Sequence, residues 1–238
     1  MISFRPGYYG WLGNQMFQYA TTFALSKRIG TSCSFPENKP NLHDIFTLSA
    51  KKIFSPPDYM YAERKFHFTP LPTDYEDLMI HGYFQSEKYF SDCRDDLKSE
   101  FRLRDPKYSE KLDDDYIGIH VRRGDYLTYS LIHPVCSMQY YEEGLASLPD
   151  KPVKIFSDDP EWCVKHFKGD RFNICTGNFI EDFELMSKCT YNIIANSSFS
   201  WWAAWLSNSK KVIAPKKWFG PKGPGSSKDI IPSEWEIL

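Results

Sequence analysis

Short apolar runs alternate with segments of helical period along the chain, most clearly after Tyr116. Strands are expected at Tyr116–Val121, Val153–Ser157, Phe172–Ile174, Tyr191–Ala195 and Lys211–Ala214. Between them, helices are expected at Met138–Ser147, Pro160–Phe167, Ile180–Cys189 and Phe199–Asn208. The first half carries a looser version of the pattern. It reads as a strand at Met1–Arg5, a Gly/Tyr loop, and a helix over Gly13–Ile29 with Met16, Phe17, Ala20, Phe23, Ala24 and Ile29 near one side. Further strands are expected at Thr31–Phe35 and Leu78–Tyr83, and a helix over Ser86–Phe101 with Ser86 as N-cap. The Pro-rich stretch Glu37–Pro72 takes no assignment. Strands alternating with helices predict parallel sheets covered on both faces, the doubly wound α/β class. The pattern predicts two such halves facing a cleft, residues 1–104 and 115–238, parted by the polar stretch Arg104–Asp115. The tail from Pro215, rich in Pro, Gly and Lys, is expected to wrap the surface.

Composition narrows the partners. Lys and Arg total 29 against 31 Asp and Glu, so no basic field exists to attract nucleic acid. None of the six cysteines forms a C-x-x-C pair, which removes the common zinc spacings and points to reduced thiols. Met1–Gly10 has no long apolar run of the signal-peptide kind, and Tyr191–Leu206 is interrupted by Asn196, Ser197, Ser198 and Ser200. A soluble, cytoplasmic protein with no transmembrane segment is expected.

The candidate chemistry lies where strands give way to helices. IGIHVRRGDY (Ile117–Tyr126) ends an apolar strand in two arginines. Alternation puts His120 and Arg122 on one face and Arg123 on the other. A guanidinium fork suits phosphate and carboxylate alike, so spacing leaves an anion site and an internal ion pair with Asp125 balanced. In FSDDPEW, Asp159 before Pro160 reads as a helix cap, which leaves Asp158 at a strand C-terminus where ligand contacts are expected. Asn196, Ser197 and Ser198 precede an aromatic helix, a setting for an N-cap, an anion site, or both. Trp201, Trp202 and Trp205 in that helix read as core. GWLGNQMFQYA places Asn14 and Gln15 at a helix opening after two glycines, and it is neither a Rossmann fingerprint nor a P-loop. These turns together indicate an enzyme for a nucleotide or another phosphate-bearing ligand.

The motifs also carry a resemblance. HVRRGDY resembles the H-x-R-R-x-D signature of GDP-fucose-dependent fucosyltransferases, above all the α-1,2-fucosyltransferase family. GWLGNQMFQYA, GYFQSEKYF, FSDDPEW, NSSFSWWAAWL and VIAPKKWF are similar to that family's other blocks, in the same order across almost the whole chain. Trp11 stands where the family usually has a second glycine, and the middle of the chain is short for the family.

The resemblance implies a GT-B-type architecture of two Rossmann-like halves, acceptor-side first and nucleotide-sugar-binding second. It implies an inverting transfer of fucose from GDP-fucose to a glycan hydroxyl, with no cofactor and no essential metal. By that likeness Arg122 grips the diphosphate and neutralises the leaving group, while Arg123 and Asp125 shape the loop. His120 and Asp182 lie near the guanine, Ser197, Ser198 and Phe199 line the nucleotide side, and Gly13, Asn14 and Gln15 reach the donor from the other half. Asp158 joins the donor-binding set. Asp125, Glu87 and His133 are the candidate bases for the acceptor hydroxyl. The alternatives are another GDP-6-deoxyhexose, another linkage or anomer, a protein O-fucosyltransferase, and a non-catalytic glycan- or nucleotide-binding module.

Overall fold

Every residue of Ile117–Val121 is buried, which is what a strand inside a parallel sheet with two covered faces requires. The computed structural model describes residues 1–7, 10–52, 57, 59–108 and 112–238. Parts of the expected Gly/Tyr loop, of the Pro-rich stretch and of the inter-half stretch lie outside these residues. The chain divides into two units. One comprises Met1–Asp105 with Ser226–Pro232, the other Pro106–Gly225 with Ser233–Leu238.

The first unit contains β1 (Ile2–Phe4), α1 (Leu12–Ile29), β2 (Cys33–Ser34), α2 (Leu42–Ile45), β3 (Met60–Ala62), β4 (Leu78–His81) and α3 (Arg94–Glu100). Its strands form a parallel sheet in the order β2-β1-β4-β3. Two expectations are corrected here. Helix α1 is not buried along one stripe. Gln15, Gln18, Thr21 and Thr22 are as buried as Met16 and Phe17, so the helix runs through the middle of its unit. The expected helix over Ser86–Phe101 is broken into 3-10 turns at Glu87–Tyr89 and Ser91–Cys93 before α3. Phe90 causes the break. Its ring is fully buried against Phe17, which draws the backbone out of helical angles. The unassigned Pro-rich stretch supplies α2 and β3.

The second unit contains β5 (Ile117–Val121), α4 (Met138–Ala146), β6 (Val153–Ser157), α5 (Pro160–His166), β7 (Phe172–Ile174), α6 (Phe179–Ser187), β8 (Tyr191–Ile193), α7 (Ser198–Leu206), β9 (Lys211–Ala214) and β10 (Glu236–Ile237). All six strands are parallel, in the order β7-β6-β5-β8-β9-β10. This is the strand order of dinucleotide-binding sheets, in which the chain turns back beside the first strand. Ile119 and Val121 pack with Tyr141, Cys163 and Phe167 of the α4–α5 layer. On the opposite face His120 meets Phe199 of α7, which in turn meets Phe183 of α6. The three tryptophans of α7 are fully buried against one another, as their place in the helix predicts. The fold is therefore α/β of the GT-B type, with a parallel Rossmann-like sheet in each unit.

Candidate active site

The strand order fixes where to look. Ligands of open α/β sheets bind beyond the strand C-termini at the point where the order reverses, which here lies between β5 and β8. Arg122 leaves the end of β5. Its Nη2 donates to Asp125 Oδ1 at 2.5 Å, and its Nη1 pairs with Asp158 Oδ2 at 2.8 Å. Asp158, just past β6, also accepts the backbone N–H of Arg123 at 2.9 Å. A Cβ on Gly124 would overlap Asp158 Oδ2, so glycine is needed for this close approach.

Arg123 turns toward α5. Its Nε donates to Asp159 Oδ2 at 3.0 Å, and its guanidinium lies 4.2 Å from the Trp162 ring centre. Asp159 also caps α5 by accepting the N–H of Trp162, and its arginine partner holds its carboxyl below the usual range. The cap reading for Asp159 is therefore correct, and the two arginines diverge as strand alternation requires. Both arginines are ion-paired, Arg123 with Asp159 and Arg122 with Asp125 and Asp158, so the internal ion pair with Asp125 is present. The difference is that Arg122 is held through both Nη1 and Nη2 by two carboxylates, whereas Arg123 is held by one through Nε.

His120 is buried against Phe199, and its Nδ1 has no hydrogen-bond partner among the described residues. Burial, helped by Arg122, pushes its pKa down to about 3, so the ring is neutral. Asp182, in the first turn of α6, is pushed up to about 6 by burial and by the neighbouring Glu181. Ser197 occupies the N-cap position of α7 without a side-chain cap bond, and Ser198 and Phe199 open the helix. The first-turn N–H groups of a helix lack intrahelical partners, which suits an anion. Asn196 does not serve as the cap. Its amide donates to the carbonyls of Pro134 and Trp218 at 3.0 and 2.9 Å and so anchors the turn. His133 stacks on Tyr126 at 4.7 Å and also faces Phe219.

These residues all belong to the second unit. Gly13, Asn14, Gln15 and Glu87 belong to the first. Asn14 accepts from Gln85 Nε2 at 2.7 Å, and Gln15 Nε2 donates to the carbonyl of Lys39 at 3.2 Å. Partly buried Glu63 accepts the N–H groups of Tyr83 and Phe84 at 2.7 and 3.1 Å and so shapes the loop that carries Gln85. Glu87 pairs with Arg94 at 3.7 Å. Trp11, at the N-cap position of α1, is 68% exposed. Sequence reasoning missed Tyr126, whose ring lies 5.1 Å from the Arg122 guanidinium, and Trp162. Tyr126 directly follows the arginine motif, but nothing in its spacing distinguishes it from a loop residue. Among the described residues no group of three or more His, Cys, Asp or Glu side chains could hold a metal ion, and no helix is long and apolar enough to cross a membrane.

Comparisons with known proteins give the family and the fold. Alpha-1,2-colitosyltransferase of Escherichia coli is 30% identical over 277 residues, covering 95% of each chain. Galactoside alpha-(1,2)-fucosyltransferase 2 of Sus scrofa is 25% identical over 275 residues, covering 94% of this chain and 79% of its own. The crystal structure of NodZ alpha-1,6-fucosyltransferase soaked with GDP-fucose superposes with a TM-score of 0.55 at 14% identity, over 87% of this chain and 92% of that one. At that identity the likeness is one of fold. The profile of Glycosyl transferase family 11 matches residues 7–237. With nearly its whole length inside that profile and the arginine signature at the reversal point of its second sheet, this protein is a glycosyltransferase and belongs to glycosyl transferase family 11.

Proposed function

We propose that the protein transfers L-fucose from GDP-β-L-fucose to a hydroxyl of a glycan acceptor, with inversion to an α linkage and without a metal. The observation that carries the reading is the forked Arg122 at the C-terminal end of β5, beside the turn that opens α7. In this reading the diphosphate takes the place of the carboxylates on the Arg122 fork and lies toward the first turn of α7. The bond from the sugar C1 to the phosphate oxygen breaks, and charge develops on that oxygen. A fixed guanidinium stabilises this charge most as the bond lengthens, and that is where it lowers the barrier. The acceptor oxygen bonds to C1 from the opposite side and gives its proton to a base, for which the second unit offers Asp125 and His133. The guanine rests near neutral His120 and Asp182, whose carboxylate matches its adjacent N–H donors. Six free thiols support a reducing, cytoplasmic setting.

A second reading has its own support. The colitosyltransferase is 30% identical, so the donor sugar is colitose in that version of the reaction. Parallel incubations with GDP-fucose and with the GDP-activated colitose donor, each with a panel of acceptor sugars and followed by GDP release and NMR of the product, test both. Transfer of fucose supports the first reading. Turnover only with the colitose donor replaces it with the second. Binding of GDP without consumption of either donor means a non-catalytic module.

A further inference from the structure

We infer that Tyr126 is a positioning residue for the transfer, fixing Arg122 to the turn that opens α7. The inference rests on the proposed reading that Arg122 holds the diphosphate.

Three contacts of one side chain lead to it. The Arg122 guanidinium lies over the Tyr126 ring, 5.1 Å from its centre. His133 stacks nearly parallel to that ring at 4.7 Å, which restricts its rotation. The phenol donates to the backbone carbonyl of Asn196 at 3.1 Å. Asn196 is itself buried and tied to Pro134 and Trp218, and it directly precedes Ser197 at the head of α7. Tyr126 therefore spans the reversal point of the sheet. One end touches the cation that follows β5, the other the turn that follows β8.

The chemistry of the contacts explains why such a residue is needed. Asp125 and Asp158 hold Arg122 through its N–H edge, the same edge a phosphate uses. When an anion binds there, those anchors are in competition with it. The ring attracts the cation through its π electrons and leaves the N–H donors free. It is thus the restraint on Arg122 that persists once the anion is bound. The hydroxyl passes that restraint to the α7 turn, so the cation and the helix N–H groups keep a fixed spacing. Burial pushes the phenol up to about 12, which keeps its proton in place for the Asn196 bond.

The test is a double-mutant cycle of Tyr126→Leu with Arg122→Lys, read in kcat, in donor KM and in GDP affinity by calorimetry. Tyr126→Leu is expected to lower kcat by about tenfold, the scale of one partly exposed cation–π contact, and to change donor KM less than kcat. In the Arg122→Lys background the same substitution should change kcat by less than about threefold, because the residue acts through the guanidinium. Losses that multiply in the double variant, or a Tyr126→Leu variant at wild-type kcat, overturn the inference. Should Tyr126→Leu fail to fold, Tyr126→Phe keeps the ring and removes only the Asn196 bond. A kcat lower by about threefold or more is then expected, with a Tm lowered by only a few degrees, and wild-type kcat overturns the inference. GDP affinity separates the two levels of the argument. Absence of GDP binding to the wild-type protein overturns the donor reading and this inference together. GDP binding with a multiplicative cycle overturns the inference alone.

Discussion

Replacing Arg122 by lysine keeps the charge and removes the fork. In the structure the guanidinium uses two nitrogens at once, toward Asp125 at 2.5 Å and Asp158 at 2.8 Å. A lysine ammonium is a single point and cannot present two parallel donors to a diphosphate. Losing one directed donor to a developing oxyanion costs about 2.7–4 kcal/mol of transition-state stabilisation, or about 10²–10³-fold in turnover. Because lysine retains the charge, the expected loss is about 10²-fold. Stability moves on another scale. The Arg122 side chain is 29% exposed and Asp125 54%, so these are partly solvated pairs worth about 0–1 kcal/mol each, and lysine keeps part of that. The predicted signature is a large fall in kcat with a melting temperature nearly unchanged. GDP release at saturating donor and a thermal melt of the same preparation measure both. Turnover within threefold of wild type would refute the role given to Arg122. So would a loss of activity that merely follows a collapse of the melting temperature, since that marks an internal ion pair.

Asp182 sets a pH dependence with two signs. Its folded pKa, raised to about 6, makes the ligand-free protein gain stability as pH falls from about 6 toward 4, and lose that contribution as pH rises through 6. On the proposed pairing of guanine with the Asp182 carboxylate, GDP affinity should fall by about tenfold per unit below pH 6, and calorimetry on Asp182→Asn should show a flat profile. Gly124→Ala drives a Cβ into Asp158 Oδ2 and should lower stability by about 1–3 kcal/mol in urea melts, the range for overpacking. Trp11→Gly removes an exposed ring at the head of α1. Stability should change by no more than about 0.5 kcal/mol, while acceptor KM rises about tenfold and donor KM stays constant if the ring stacks on the acceptor sugar. Ile119→Ala empties a fully buried position of β5 and should cost about 2–5 kcal/mol in the same melts.

The second unit was more legible in the sequence than the first, and the reason is physical. Its strands are short apolar runs between capped helices, and both signals are local. Asp159 before Pro160 marked the start of α5, and the buried run Ile117–Val121 marked a central strand. In the first unit the decisive forces are tertiary. Nothing local says that Phe90 will break a helix by entering the core, or that Gln15 and Gln18 will be buried with the apolar residues of α1. Strand β3 lies in a Pro-rich stretch and takes its order from pairing with β4. The motif residues of the second unit could be placed at a sheet edge by alternation alone. What alternation could not supply was their partners. That Arg122 is also held by Asp158, and that Asn196 anchors its turn without capping the helix, depend on contacts between loops distant in sequence.

The pairing of β5 with β8 has a consequence for how the molecule is made. Between these strands the chain passes through α4, β6, α5, β7 and α6, so their pairing closes a long loop. The entropy of that closure is spent before any β5–β8 hydrogen bond returns it, which places this pairing among the slow steps of folding. The crevice that holds Arg122, Tyr126 and the head of α7 cannot exist before that step. Until then the apolar flank of β5 waits unpaired, a template for other chains. The binding competence of the protein should therefore be gained late during refolding, after most of its helical signal has returned.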